Sequence, residues 1–392
     1  MTLGPGLPSR YGSSPARVVE GEASAAVAEA VAALASRQPV VLTDGGVAAR
    51  GAPARVAAAV AARLGVAEVR VHVLRDGEPD EARVADAADL LRTAAPDALV
   101  AVGGGSVLDT AKAAGFLLAD GGRMEDWWGF GRTRSPHLPL IAVPTTAGTG
   151  SEVQSFALVS RDGDHRKMAC GAPGAMPRVA VLDPALTASA PRRTTILAGL
   201  DALVHALETA VTTVRTPASA AAAAEAFALI WPALPRVAAD PHDLAARTAM
   251  LRGSCRAGQA IEASMLGAAH ALANPVSARW GVPHGLAVAT MAPGVIRFNA
   301  AVPEAAATCA ALAASVGLGA SADALAAALE GLLATLGVAG APSAWTGLAD
   351  ALEDVSVDAA GQWTAGFNPR PLDEAAARAL YLEALEAAGR AL

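Results

Sequence analysis

The sequence predicts a chain in two parts, an α/β domain on a parallel sheet followed by an all-helical domain. Three observations carry that prediction. The first half alternates short β-branched runs with helical patterns. After Pro184 the chain turns to long Ala/Leu segments at helical period, with almost nothing that reads as a strand. The length of 392 residues, with 53% hydrophobic, exceeds the roughly 250–300 residues that one core accommodates. The expected domains are 1–185 and 186–392, with a hinge near 184–190 and a ligand cleft between them.

Taken in order, the first element is "PVVLTD", a buried strand closed by Asp44, and "ARVAAAVAARLG" follows as an amphipathic helix. "VRVHVL" reads as the next strand and "ARVADAADLLRTAA" as the helix after it. "ALVAVGGG", "LPLIAVPTT" and "VAVLDP" complete the strands. A βαβ order of this kind builds a parallel sheet covered by helices. In the second half Pro217, Pro232, Pro241 and Pro275 punctuate the helical pattern, and a helical run is expected to end at Asn274 and Pro275.

Composition narrows the partners. The net charge is −7 and Lys and Arg are scattered without a basic run, which argues against nucleic acid or an anionic membrane and for a small molecule. Cys170, Cys255 and Cys309 are odd in number and far apart, so they read as buried thiols in a reducing cytosol. The N-terminal stretch has no charged-then-apolar leader, and the most apolar tract, "ASAAAAAEAFALIW", is interrupted by Glu225 and followed by Pro232. A soluble, cytoplasmic chain is expected.

"VAVGGGSVLDTAKAAG" reads as a buried strand, three glycines (Gly103, Gly104, Gly105) and a helix that Ser106 can cap. Glycines admit close backbone approach, and a helix N-terminus offers N–H groups and a positive dipole end to a pyrophosphate. The spacing is not GxGxxG, and a plain strand-to-helix turn would use the same residues. Asp44, at the end of the first strand, can accept from ribose hydroxyls and repel a 2′-phosphate, favouring NAD over NADP; it can equally cap the turn before Gly45 and Gly46. "VPTTAGTGSE" sets four hydroxyls among small residues after another strand, a loop able to approach a cofactor.

The helix "GLDALVHALE" places Asp201 and His205 four residues apart, hence on one face. Further on, "GAAHALANPVSARWGVPHG" supplies His270 and His284. One carboxylate and three imidazoles suit a divalent Fe²⁺ or Zn²⁺ ion with room for a substrate oxygen, and would explain why a helix turns two polar groups inward. The other histidines, His72, His137, His165 and His242, read as structural or solvent-facing.

"GGGSVLDTAK", "PTTAGTGSEV", "AGLDALVHALE", "VPHGLAVA" and "NPRP" (Asn368 to Pro371) occur here in the order seen in the iron-containing (group III) alcohol dehydrogenases, which the chain resembles over nearly its whole length. The resemblance implies a dinucleotide-binding α/β domain, a helical domain and a metal in the cleft, on the architecture shared with dehydroquinate synthase. It implies Asp201, His205, His270 and His284 as metal ligands and Gly103, Gly104, Gly105 and Ser106 as the pyrophosphate loop. Asp44 would be the ribose contact, Thr145, Thr146 and Thr149 further NAD(H) contacts, and Lys167 a residue near the nicotinamide. A dimer or larger homo-oligomer is usual in such families.

Two departures stand out. Many members carry a histidine, often assigned to proton relay, where this chain has Asn274, and an amide is no general acid near neutral pH. Gln154, Ser155 and Phe156 replace the Thr and Asn common in diol-oxidising relatives, which implies a remodelled substrate pocket. Arg279 and Trp280 are placed in the loop leading to His284. A guanidinium in a cleft wall suits an acidic aldehyde, with phosphonoacetaldehyde the sharpest case, unless Arg279 faces solvent or pairs with a carboxylate. The expected reaction is NAD(H)-linked interconversion of a small aldehyde and its primary alcohol. The alternatives are a dehydroquinate synthase-like lyase and a maleylacetate reductase-type oxidoreductase.

Overall fold

The computed structural model describes residues 6–164, 166–338 and 347–387. The chain divides into two compact units, Met1–Ala190 and Pro191–Leu392.

The first unit runs β1 (Arg17–Glu20), α1 (Ala23–Ala33), β2 (Pro39–Asp44), α2 (Gly45–Ala48), α3 (Ala52–Leu64), β3 (Val71–Leu74), α4 (Glu81–Ala94), β4 (Ala98–Gly103) and α5 (Gly105–Ala119). It continues through β5 (Gly129–Phe130), β6 (Leu140–Pro144), β7 (Phe156–Ser160), β8 (Lys167–Gly171), β9 (Val179–Leu182) and α6 (Pro184–Thr187). Six strands form a parallel sheet in the order β1-β9-β6-β4-β2-β3. Its side chains alternate between two cores. Val41, Val100, Val102, Ile141, Val143 and Val181 pack under α1 and α3, while Val40, Leu42, Leu99, Ala101, Leu140 and Ala142 pack with residues of α4 and α5. This is the period of two expected of strands buried on both faces.

Two features exceed the sequence reading. The short edge strand β1 pairs in register with β9. A second sheet, β5-β8-β7, is antiparallel between β7 and β8. The chain passes from β2 outward to β3 and then places β4 on the other side of β2. The carboxyl ends of β2 and β4 therefore flank a topological switch point, where open α/β sheets bind ligands.

Among the described residues of the second unit no strand forms. Its helices are α7 (Arg192–Thr209), α8 (Pro217–Ala239), α9 (Leu244–Ser264), α10 (Ala268–Trp280), α11 (His284–Asn299), α12 (Pro303–Ser315), α13 (Ala322–Thr335), α14 (Leu352–Ala360) and α15 (Glu374–Ala387). Helix α7 lies at the centre, packed by α8, α9, α10 and α11, and from Gly199 to Thr209 every residue is buried. Helix α8 is long and apolar enough to cross a bilayer, but here Ala222, Ala226, Phe227, Ile230 and Leu234 are buried, and the helix packs on α7 and α9.

The prolines do not stop these helices as expected. Helix α8 continues through Pro232 and Pro235, and α10 continues through Pro275 to Trp280. An interior proline costs about 3 kcal/mol through its lost hydrogen bond and ring clash, yet both helices run on. Tyr381 of α15 donates its buried hydroxyl to the Leu272 carbonyl, three residues before Pro275, at 2.7 Å.

Candidate metal centre and cofactor loop

Helix geometry puts Asp201, His205 and Glu208 of α7 along one buried face. The Asp201 Oδ1 atom is the focus of the site. His205 Nε2 lies 3.3 Å from it, His270 Nε2 3.5 Å and His284 Nε2 3.7 Å. Donor atoms about 2.0–2.2 Å from one tetrahedral ion sit about 3.3–3.6 Å apart, so these separations fit a shared divalent cation. The donor atoms of Asp201, His270 and His284 all lie within 4.8 Å of one another. Asp201 Oδ1 and His270 Nε2 are buried without a hydrogen-bond partner, an arrangement that is costly unless a further group satisfies them.

The electrostatics are those of one tightly coupled cluster. Burial would raise the Asp201 carboxyl, but His205, then His270 and His284, hold it well below the usual carboxylate range. Burial pushes His205 down to about 4, which keeps its imidazole neutral as a ligand must be. For His270 burial acts in the same direction, yet Glu208 and Asp201 outweigh it and push the ring up to about 9, so a cation bound there would displace a proton.

Each ligand arrives by a separate structural device. His270 sits in the first turn of α10, and His284 is the first residue of α11. Gly285 lets α11 approach α7, since a Cβ there would lie 2.1 Å from the Leu197 carbonyl oxygen and 3.4 Å from the Asp201 Cβ. Sequence reasoning passed over Glu208. Its Oε2 accepts from His270 Nδ1 at 2.5 Å and its Oε1 from the Ala269 amide at 2.5 Å. The available signal was its place seven residues after Asp201, on the same helical face.

Asn274 lies one turn beyond His270 and donates to Gln362 Oε1 at 3.2 Å. Arg279 corrects an expectation. It belongs to the last turn of α10 rather than to a loop, and its guanidinium pairs with Asp358 at 2.5 Å and Asp354 at 3.6 Å, both on α14. This carboxylate pairing is the arrangement set against an anion-receiving role in the sequence reading. His137 packs edge-on against Phe116, His72 lies in β3 and His242 is exposed; His165 lies outside the described residues.

In the first unit, β4 runs into Gly103 and α5 opens at Gly105. Ser106 is not the cap. Gly104 holds the N-cap position in extended conformation, and no side chain caps the helix, which leaves its first N–H groups available to an anion. The threonine loop packs on the glycines. The Thr145 amide donates to the Gly103 carbonyl at 3.0 Å, Thr146 borders Gly104, and a Cβ on Gly105 would come within 2.6 Å of Thr149. Gln154 donates to the Thr149 carbonyl at 2.7 Å.

A buried network that sequence reasoning also missed ties this loop to the helix. Lys112 Nζ donates to Ser151 Oγ at 2.6 Å and to the Phe156 carbonyl at 2.7 Å, and pairs with Asp109 at 3.3 Å. Asp44 caps α2, accepting from the Val47 amide at 2.8 Å, while Asp76 accepts from the adjacent Gly45 amide at 3.0 Å. Asp44 closes β2 at the switch point, and Asp76 follows the carboxyl end of the neighbouring edge strand β3. Lys167 opens β8 and is ion-paired with Glu78 at 3.0 Å.

Comparison with known proteins accords with this geometry. Residues 15–184 match the family described as iron-containing alcohol dehydrogenase, and residues 195–385 match the C-terminal part of the Fe-containing alcohol dehydrogenase family. A protein of Salmonella typhimurium named probable alcohol dehydrogenase EutG is 43% identical over 57% of this chain, and the match spans only 56% of that protein. NAD-dependent methanol dehydrogenase of Bacillus methanolicus is 33% identical over 73% of this chain and 74% of its own. The crystal structure of sulfoacetaldehyde reductase from Bifidobacterium kashiwanohense in complex with NAD⁺ superposes with a TM-score of 0.84 at 26% identity, covering 98% of this chain and 99% of that one. With both units matched in sequence and the whole described architecture matched in space, the chain belongs to the iron-containing alcohol dehydrogenase family.

Proposed function

We propose that the protein is a metal-dependent, NAD(H)-linked oxidoreductase that interconverts a small aldehyde and its primary alcohol. The observation that carries this reading is the convergence of His205, His270 and His284 Nε2 on the unpartnered, buried Asp201 Oδ1. A divalent ion, Fe²⁺ or Zn²⁺, when bound polarises a carbonyl oxygen, and NAD(H) supplies or accepts the hydride. The chain's own part is to hold both. Asp201, His205, His270 and His284 are the proposed ligands; with a cation bound the three imidazoles would be neutral, and one carboxylate would leave a net positive charge suited to an anionic oxygen. Gly103, Gly104, Gly105 and Ser106 are proposed to seat the pyrophosphate on the uncapped end of α5. Thr145, Thr146 and Thr149 are proposed to line it and Asp44 to meet the ribose. Asn274 cannot deliver a proton, so water or a ribose hydroxyl is the proposed source.

The test is NADH oxidation by the Fe²⁺- or Zn²⁺-loaded protein against a panel of small aldehydes. Turnover that chelation abolishes and metal restores is expected; no turnover with any aldehyde refutes the reading. An acidic aldehyde such as phosphonoacetaldehyde is a second reading, supported by the likeness to a sulfoacetaldehyde reductase and weakened by the pairing of Arg279 with Asp358. A kcat/KM for propionaldehyde above those for sulfoacetaldehyde and phosphonoacetaldehyde removes it.

A further inference from the structure

We propose that Glu208 is the positioning residue of the metal centre, fixing with one carboxylate both the ring of His270 and the helix end that carries it. The inference rests on the metal reading above and goes beyond it by assigning a role to a residue outside the ligand set. Asp201 and His205 share α7, so the helix itself sets their spacing. His270 comes from α10, and its position relative to Asp201 depends on tertiary contacts alone. Glu208 supplies two of them, one to the ring itself. Its Oε2 accepts from His270 Nδ1 at 2.5 Å, which keeps the proton on Nδ1 and leaves the Nε2 lone pair for the cation. Its Oε1 accepts from the amide of Ala269, one of the otherwise unsatisfied N–H groups at the start of α10. One buried carboxylate thus grips the backbone and the side chain of consecutive residues. By contrast, His205 Nδ1 is buried with no partner, in keeping with a ligand that its own helix already orients.

The neighbouring amide provides an internal comparison. Ala268 donates to Asn368 Oδ1 at 3.1 Å, and Asn368 is itself held by Asn299 and the Arg370 carbonyl. Asn368 caps the same helix end but does not contact the imidazole in these bonds. A carboxylate is needed at 208 because both partners are donors: an amide offers a single acceptor oxygen and would set its own NH₂ against the other donor. Glu208→Gln is therefore nearly isosteric and loses one of the two bonds.

The experiment titrates Zn²⁺ into the chelator-stripped protein in competition with a chromophoric chelator, for wild type, Glu208→Gln, Glu208→Ala and Asn368→Ala. Melting of the metal-free proteins and the ¹⁵N signals of His270 are recorded alongside. Loss of a partner to a ligating histidine typically costs 10–100-fold in metal affinity, and that is the fall expected for Glu208→Gln, together with loss of the Nδ1-protonated signature of His270. Asn368→Ala is expected to lower the melting temperature while retaining affinity close to wild type. Wild-type affinity in Glu208→Gln overturns the role, as does an equal loss of affinity in Asn368→Ala, which would mean general loosening of α10. If Glu208→Ala does not fold, Glu208→Gln carries the test. Failure of the wild-type chain to bind Zn²⁺ overturns the metal reading and this inference with it, whereas binding by wild type with no effect of Glu208→Gln overturns this inference alone.

Discussion

Replacing Gly285 by alanine tests how the second unit assembles its ligands. The added Cβ would lie 2.1 Å from the Leu197 carbonyl oxygen, where ordinary contact begins near 3.4 Å. The obstacle is backbone in the middle of α7, so no side chain can swing aside, and α11 must retreat by about 1 Å. His284 is the residue immediately before it and the first of α11. Its Nε2 is the outermost of the three about Asp201 Oδ1, at 3.7 Å, so a retreat takes it out of reach of an ion bound at about 2.1 Å. Overpacking of this kind costs about 1–3 kcal/mol of stability, and a 1 Å misplacement of catalytic machinery can cost about 100-fold in rate. Gly285→Ala should therefore remain folded by circular dichroism, melt lower, retain less metal after dialysis and lose about 100-fold in kcat/KM for aldehyde reduction. Normal metal retention with wild-type kcat/KM would refute the reasoning, because it would show that α11 can shift without moving His284.

The other predictions are more direct. His270→Ala and His284→Ala should each abolish turnover and weaken metal retention, and full activity with normal metal content in either removes that residue from the ligand set. Wild type should prefer NADH to NADPH, and Asp44→Gly should narrow the preference; equal use of both by wild type removes the role of Asp44. Burial raises the Glu152 carboxyl from its ordinary 4.5 to about 7, against the opposing pull of its own backbone amide and Lys112. A folded-state value above the unfolded one gives stability that is fully present below pH 4.5 and lost as the pH rises through about 7. Glu152→Gln should match wild type in urea unfolding near pH 4 and exceed it above pH 7, by on the order of 3 kcal/mol. A constant difference across that range would contradict the assignment.

Much of the site was legible because it is local. Asp201 and His205 lie on one helix at a spacing that any helix converts into one face, and the glycines follow a strand and open a helix as the sequence reads. His270 and His284 were picked out by residue type as further imidazoles, and the family resemblance then implied them as ligands. Glu208 stood in the same quoted helix but looks like any surface glutamate until α10 brings two donors to it. Arg279 shows the same limit in reverse. Its partner Asp358 lies 79 residues away, so nothing near Arg279 in the chain could reveal that the charge was taken.

The alternation of β-branched residues in β2, β4 and β6 determined a sheet with two buried faces, since successive side chains of a strand must point to opposite sides. The switch from that period to the helical one near Pro184 likewise determined the change of architecture. What the local pattern could not determine was whether a proline ends a helix. Pro232, Pro235 and Pro275 are helix breakers by propensity, at a cost of about 3 kcal/mol each, yet α8 and α10 run through them with the adjoining Ala233, Leu234 and Val276 buried. Nor could it determine which donor each carboxylate accepts from. Backbone geometry acts between residues a few positions apart, so periodicity is written in the sequence, whereas the convergence of α7, α10 and α11 on Asp201 Oδ1 arises from packing between residues as far apart as 83 positions and exists only once the chain is folded.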